Sequence, residues 1–139
     1  MNFSVKKRCR HVLTEGARVN KSKELLEAGN IAEFCRLVDE SHKSCAEDYE
    51  ISTPEVDQLV EICRRSGALG ARITGAGFGG CVICIVKEDN VEDLIENVTD
   101  KYYREYLKTN RPEVFEKLGR LEESIFPCLP AGGADRIVI

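Results

Sequence analysis

Tryptophan is absent from this 139-residue chain, methionine occurs once, and aromatic residues make up only 6%. An excess of basic residues is also missing, because 20 Lys and Arg are outnumbered by 24 Asp and Glu. Nucleic-acid-binding domains usually carry a clustered basic surface, so this balance argues against a nucleic-acid partner. Hydrophobic residues nevertheless reach 42%, which argues against disorder and is enough for a domain with one core.

Long apolar runs are missing as well. The longest is Cys81–Val86, and a helix that spans a bilayer needs about 20 apolar residues. The first residues lead directly into charged Lys6 and Lys7 without the apolar segment of a signal peptide. The sequence therefore predicts one domain over residues 1–139, in the cytoplasm and without a membrane partner.

Seven cysteines raise the question of disulfides or a metal site. Cys81 and Cys84 form a C-x-x-C pair, but they fall in a predicted strand, where residues three apart point to opposite faces. Structural zinc needs four ligands, and no second pair follows. We therefore expect no metal, and reduced thiols that are mostly buried.

The first part of the chain has the patterns of helices. Apolar spacing predicts one helix over roughly residues 1–19 and a short one over 23–28, which Gly29 ends. Asn30 and Glu33 have the spacing of a capping box at the start of the next helix. The expected buried face of that helix is formed by Ile31, Phe34, Val38 and Cys45.

A further helix start is marked by Thr53 as a cap and Pro54 in the first turn. The helix ends at Gly67. Its apolar stripe has the spacing i, i+3, i+4, i+7 and consists of Val56, Leu59, Val60 and Cys63.

The second half of the chain changes to strand patterns. We expect a short strand over 71–74, a central strand over 81–86 covered on both faces, and a helix capped by Asn90. Residues 124–128 and 136–139 are predicted as a third and a fourth strand. This order predicts an α+β fold in which a helical first half packs on a small, mainly antiparallel sheet.

The segment between the first two strands is rich in glycine. Four glycines in six residues are costly in backbone entropy, so a turn or a ligand must require them. A short hairpin needs only one or two glycines, whereas successive N–H groups in such a loop can bind an anion. We therefore predict a ligand-facing loop, in which Gly77→Ala leaves the fold intact and lowers activity. The candidate site residues are Thr74, Gly75, Ala76, Gly77, Phe78, Gly79 and Gly80.

Several familiar motifs do not fit this loop. A dinucleotide-binding G-x-G-x-x-G opens a helix, but a strand pattern follows here. Lys-Ser or Lys-Thr does not follow the glycines, which excludes a Walker A loop, and the chain lacks the H-R-D and D-F-G motifs of protein kinases. His11 and His42 lie on different predicted helices and favour surface or packing roles. No catalytic residue is assigned.

The segment Gly70–Val82, GARITGAGFGGCV, resembles the third signature motif of the GHMP kinases in its galactokinase form. Residues 8–19 are similar to a family helix that follows the sugar site. The stretches 40–44 and 48–55, ESHKS and DYEISTPE, are similar to another galactokinase segment. Residues 128–134 resemble the closing segment of the family, so the resemblance spans nearly the whole chain.

The resemblance implies a fold like the GHMP kinase C-terminal domain, which is ferredoxin-like. It also implies an enzyme that transfers the γ-phosphoryl group of ATP to the anomeric hydroxyl of galactose with magnesium. In this chain the loop Thr74–Gly80 would help to shape the cleft for the nucleotide phosphates and the sugar. The phosphate loop, catalytic base and galactose contacts of the family belong to an N-terminal half that is not in the chain.

Two alternatives stay open on the sequence. The stretch 103–123 is longer than in compact bacterial relatives and resembles eukaryotic-type members, some of which prefer N-acetylgalactosamine. The chain could instead be a non-catalytic interaction module, which docks onto a separate N-terminal half or onto itself through an exposed apolar patch.

Overall fold

The fold is taken from a computed structural model that describes residues 4–130. Three helices come first, α1 Val5–Glu27, α2 Ile31–Ser44 and α3 Pro54–Arg65. A hairpin and a fourth helix follow, β1 Gly70–Thr74, β2 Cys81–Ile85 and α4 Val91–Val98. π-Helical turns extend α2 over Cys45–Tyr49 and α4 over Thr99–Leu107. Two short α-helices follow, α5 Lys108–Asn110 and α6 Pro112–Phe115. Single 3-10 turns lie at Glu88–Asn90 and Leu121–Glu123.

Local capping signals set most of the helix starts. The Asn30 side chain accepts a hydrogen bond from the Glu33 N–H at 3.2 Å, and the Thr53 hydroxyl accepts one from the Val56 N–H at 3.3 Å. Both predicted caps are confirmed. The Asn90 cap is wrong, because a 3-10 turn precedes α4 and the Asn90 amide lies over Gly67 instead of bonding the first turn of the helix.

The first helix is longer than predicted. α1 runs without a break through residues 20–22, where the sequence predicts a gap, because nothing there is incompatible with helical backbone. The last helical residue is Glu27, and the chain turns away from the helix at Gly29, which has φ +69°. The Asn30 N–H donates to the Leu25 carbonyl at 2.8 Å and the Gly29 N–H to the Leu26 carbonyl at 3.1 Å, which is the hydrogen-bond pattern of a Schellman motif.

The sheet is an antiparallel hairpin of two strands, with Gly70 opposite Ile85 and Thr74 opposite Cys81. The third strand predicted over 124–128 is wrong, because those residues form a turn and irregular chain. The fourth, over 136–139, lies outside the described residues. β2 is not covered on both faces, since Ile83 is 55% exposed.

The core lies between the hairpin and the helices α3 and α4. Its buried members are Val60, Ile62, Cys63, Ala71, Leu94, Val98, Tyr102, Tyr103 and Leu107. The stripe predicted for α3 is confirmed, with Val56, Val60 and Cys63 buried and Leu59 half-buried. On α2, Ile31 is 43% exposed, so that part of the predicted face is wrong, while Cys35 is buried against β1. Helices packed on a small antiparallel sheet confirm the α+β class.

The cysteines are less buried than the sequence predicts. Cys35, Cys45 and Cys63 are buried, but Cys9, Cys81 and Cys128 are exposed, and all seven are free thiols. Cys81 and Cys84 occupy strand positions that point to opposite faces. Within residues 4–130, no three His, Cys, Asp or Glu side chains come together as a metal site. No helix in this range is long and apolar enough to cross a membrane.

Candidate functional site

The glycine-rich loop joins the two strands and has unusual backbone geometry. All four glycines lie at positive φ, from +82° at Gly77 to +122° at Gly79. Phe78 also has φ +61°, a region that L-residues other than glycine rarely adopt. The local backbone therefore explains why the sequence needs glycine at these four positions.

One of the glycines is needed for a second reason. A Cβ on Gly77 would lie 2.8 Å from the Ile51 Cβ and 2.9 Å from the Ile51 carbonyl oxygen. The next residue, Phe78, donates its N–H to that carbonyl at 2.6 Å. The space at Gly77 is therefore taken by the chain's own segment before α3. The expectation that Gly77→Ala spares the fold is not supported, because the sequence gives no sign of this long-range contact.

The other three glycines face open space. Among residues 4–130, no atom beyond the adjacent residues lies within 4 Å of the position that a Cβ would take on Gly75, Gly79 or Gly80. The Phe78 side chain is 74% exposed beside them. On this side the loop offers bare backbone and one aromatic ring, which suits close approach by a ligand or another part of a larger protein.

A cavity of about 350 Å³ lies next to the loop. Among its lining residues are Thr53, Glu55, Phe78, Gly79, Gly80, Tyr102, Tyr103 and Arg111. Glu55 and Arg111 form an ion pair there. The backbone N–H of Glu55, together with Arg111, lowers the pKa of this carboxyl group, so it stays ionised at neutral pH.

Behind the loop, His42 is buried and has a polar neighbour at each ring nitrogen. Its Nδ1 accepts the Ile73 N–H at 3.2 Å, so the ring proton is on Nε2, which lies 3.2 Å from Asp57 Oδ1. The same Asp57 oxygen accepts a hydrogen bond from the Ser52 hydroxyl at 2.5 Å. Burial, opposed by the charge of Asp57, lowers the pKa of His42. The packing role is confirmed, but sequence spacing could not have revealed this long-range partnership.

The other histidine also has a packing role. His11 is buried on α1, with its Nδ1 2.9 Å from the Ser44 hydroxyl and its ring stacked on Tyr49 at 4.7 Å.

The face of α1 that packs on the domain is polar. Glu15 Oε1 accepts hydrogen bonds from Ser41 at 2.5 Å and Arg72 at 3.1 Å, and its Oε2 accepts one from Arg18 at 2.8 Å. Burial alone would raise the pKa of Glu15, but these three partners outweigh it and lower the pKa. Polar bonds therefore hold α1 to α2 and β1.

The opposite face of α1 is apolar and exposed. Val12 is 62% and Leu13 is 75% exposed. We call Val5, Cys9, Val12, Leu13, Gly16 and Val19 the α1 stripe. Fourteen residues separate its ends, so it is about 21 Å long at 1.5 Å per residue. An exposed apolar stripe of this kind is typical of surfaces that contact another protein.

Comparison with known proteins now gives the family. Residues 22–104 match the family model described as GHMP kinases C terminal. The chain belongs to the GHMP kinase family. The matched range contains α2, α3, the hairpin and the glycine-rich loop, and the resemblance of the chain to the GHMP kinases is thereby confirmed.

The relatives it matches are longer proteins. It is 35% identical to the galactokinase of Dictyostelium discoideum over 91% of this chain and 29% of that protein. With the Bacillus subtilis galactokinase the identity is 42% over 73% of this chain and 26% of the relative. The chain thus spans under a third of these relatives, and it corresponds to their C-terminal part.

Solved structures support the same fold. The crystal structure of Lactococcus lactis galactokinase complexed with galactose matches with a TM-score of 0.69 and 39% identity, over 74% of this chain and 27% of that one. Mevalonate kinase of L. major in complex with R-mevalonate matches with a TM-score of 0.57 and 28% identity, over 62% and 26%. The predicted GHMP C-terminal fold is confirmed.

Gly77→Ala is expected to destabilise the isolated domain. The change adds about 1–2 kcal/mol of positive-φ strain and about 1–3 kcal/mol of overpacking against Ile51. Gly75→Ala is the matched control, because Gly75 has φ +87°, close to the +82° of Gly77, without the contact. In urea unfolding, the stability of Gly77→Ala should be clearly lower than that of Gly75→Ala. Equal stability of the two variants would show that Ile51 yields without cost.

Proposed function

We propose that the chain is the C-terminal part of a cytoplasmic, galactokinase-like enzyme that transfers the γ-phosphoryl group of ATP to the anomeric hydroxyl of galactose. The loop Thr74–Gly80 would shape the cleft for the nucleotide phosphates and the sugar. The observation that carries the proposal is the bare backbone at Gly75, Gly79 and Gly80, within a chain that belongs to the GHMP kinases.

The loop fits a role in binding and positioning. Positive-φ glycines allow backbone N–H groups to converge on a phosphate or a sugar hydroxyl, and the Phe78 to Ile51 hydrogen bond fixes the loop before substrate arrives. ATP would supply the transferred group. Magnesium would neutralise phosphate charge when bound, but residues 4–130 show no three-ligand cluster to hold it. We assign no general base to this chain.

The experiment that tests this function is phosphorylation by a chimera. In the chimera, residues 1–139 replace the corresponding C-terminal part of Lactococcus lactis galactokinase, and galactose and N-acetylgalactosamine are compared as acceptors. Galactose is the expected acceptor. Because the N-terminal part of the chimera supplies the galactose contacts, this choice of acceptor reports on that part, and a folded chimera that phosphorylates neither sugar would contradict the proposal.

We further propose that the α1 stripe is covered by the N-terminal part of such an enzyme, in the same polypeptide or a separate one. The stripe is apolar and exposed while the other face of α1 is bonded to the domain. The chain spans under a third of the relatives it matches, and the remaining part of such an enzyme is the natural source of a covering surface. The second candidate to cover the stripe is another copy of the chain, which would make the chain a dimer in solution.

Val12→Glu is expected to prevent this docking without unfolding the domain. Burying an unpaired carboxylate is costly, so binding should weaken at least tenfold, while an exposed residue tolerates the change. Ala17→Glu is the matched control, since Ala17 is exposed about 140° around the same helix from Val12. The chain is co-expressed with the N-terminal part of Lactococcus lactis galactokinase, and recovery of the pair is measured.

The wild type and Ala17→Glu should be recovered with the N-terminal part, and Val12→Glu should not. Equal recovery of all three would contradict docking at the stripe. Light scattering of the chain alone then measures whether it forms a dimer. A dimer that Val12→Glu dissociates would show that a second copy, rather than the N-terminal part, covers the stripe.

A further inference from the structure

Two side chains of α2 bond the backbone of β1. The Ala71 N–H donates to Asp39 Oδ1 at 2.9 Å, and the Ile73 N–H donates to His42 Nδ1 at 3.2 Å. Positions 39 and 42 are three residues apart and therefore share a helix face, while 71 and 73 are two apart along the strand. The helix thus satisfies strand N–H groups that a further strand would otherwise bond.

His42 also reaches the segment that supports the glycine-rich loop. Its Nε2–H group points to Asp57, and Asp57 accepts the Ser52 hydroxyl hydrogen bond. Ser52 follows Ile51, whose carbonyl accepts the Phe78 N–H in the loop. One ring therefore joins the strand that enters the loop to the segment that holds the loop tip.

The loop tip needs such support. Glu50 and Phe78 both have positive φ, +59° and +61°, on either side of the hydrogen bond from Phe78 to Ile51. Backbone of this kind persists only where surrounding contacts hold it in place. The contacts available on the His42 side are the hydrogen bond at Nδ1 and the 3.2 Å contact of Nε2 with Asp57.

We propose that neutral His42, paired with Asp57, positions the glycine-rich loop, and that protonation of His42 releases it. A protonated ring presents an N–H at both nitrogens, so Nδ1 can no longer accept the Ile73 N–H. The release of the loop is inferred from contacts within this chain and does not depend on kinase activity. Only its consequence for phosphoryl transfer rests on the function proposed above.

The charges around His42 set the pH range of this release. Asp57 on α3 favours the protonated ring, whereas Arg64 on α3 and Arg72 on β1 oppose it, and Asp39 on α2 is itself bonded to Arg64 at 2.8 Å. Burial is the largest cause and lowers the pKa of His42 below its ordinary value of about 6.5. The unfolded chain then binds the proton more readily, so stability is complete above pH 6.5 and falls as the pH drops below it.

The test measures amide hydrogen exchange of the 139-residue chain by NMR between pH 7.5 and pH 5. Protection factors of Ile73 and Phe78 are compared with those of Leu94 and Val98 in the core. We expect the first two to fall at least tenfold over this range while the core amides change little. A histidine that only fills space would change all four together, and that result, or no pH dependence, would overturn the proposal.

His42→Asn keeps an acceptor for the Ile73 N–H and removes the ring that titrates. The Asn carbonyl can occupy the place of Nδ1 and accept the Ile73 N–H, but it does not titrate. Protection at Ile73 should therefore persist and lose its pH dependence. Unchanged pH dependence in this variant would also overturn the proposal.

Asp57→Asn gives an independent test if the first variant does not fold. It keeps an oxygen acceptor for Nε2–H but removes the charge that favours protonation. The midpoint of loop release, and of the His42 NMR titration, should move to lower pH. A midpoint that stays or moves up would contradict the proposal. These outcomes do not depend on kinase activity, so a failed kinase assay leaves them intact.

Discussion

The 139-residue chain alone should not phosphorylate galactose or N-acetylgalactosamine above background. Phosphoryl transfer depends on positioning both substrates and neutralising phosphate charge, and one loop supplies only part of that arrangement. Enzymes accelerate such reactions by about 10⁶-fold or more, so the expected difference from a complete enzyme is very large. The measurement is a coupled assay of ADP release with magnesium-ATP and each sugar.

Lactococcus lactis galactokinase, assayed in parallel, is the positive control for this experiment. Traces of host kinase are excluded by assaying Gly79→Ala, purified in the same way. Turnover by the isolated chain that disappears in this variant would be real activity. It would contradict the view that the catalytic groups lie in the N-terminal part.

Gly79→Ala should lower turnover of the chimera about a hundredfold, because a displaced positioning element can cost that much in rate. The added methyl group projects into the open side of the loop, where residues 4–130 place no atom within 4 Å apart from the neighbours of Gly79 in the chain. Its cost to stability should be only the strain of positive φ, about 1–2 kcal/mol. Steady-state kinetics of the chimera are measured beside thermal unfolding of the domain.

Gly29→Ala is the matched control for that variant. Gly29 has φ +69° and also faces open space, but it ends α1 and lies outside the loop. It should lose no more stability than Gly79→Ala and keep full turnover. If both variants keep full turnover, the loop serves only to turn the chain, and the ligand-facing interpretation fails.

The parts of the fold that the sequence predicts are those set by neighbours along the chain. The cap at Thr53 is a contact within a few residues, and the stripe of α3 and the two strands around the glycines follow from the residue pattern along each element. The predicted strand at 124–128 is wrong because an apolar pattern alone does not supply a strand to pair with. Residues 4–130 provide that pairing only between β1 and β2.

The candidate site shows the same division. Positive φ at the four glycines follows from their density, so the loop itself could be predicted. The contact of Gly77 with Ile51 and the pairing of His42 with Asp57 join residues distant in sequence. Nothing in a single sequence marks such pairs. Because of the first contact, Gly79→Ala tests the loop better than Gly77→Ala does. The second contact is the basis of the role proposed for His42.

Apolar patterns that remain exposed have a common explanation under the proposed function. The α1 stripe and the run in β2 both predict burial, yet Val12 and Ile83 are largely exposed. In a complete enzyme of this family, further protein would cover them. The apolar residues of the stripe and of β2 would then pack against protein outside residues 4–130.

Galactose phosphorylation by the chimera tests the central claim most directly. The account predicts magnesium-ATP-dependent formation of galactose phosphorylated on the anomeric hydroxyl, and a large loss of that activity in Gly79→Ala. A chimera that is folded and binds ATP, yet phosphorylates neither galactose nor N-acetylgalactosamine while the parent enzyme does, would contradict it.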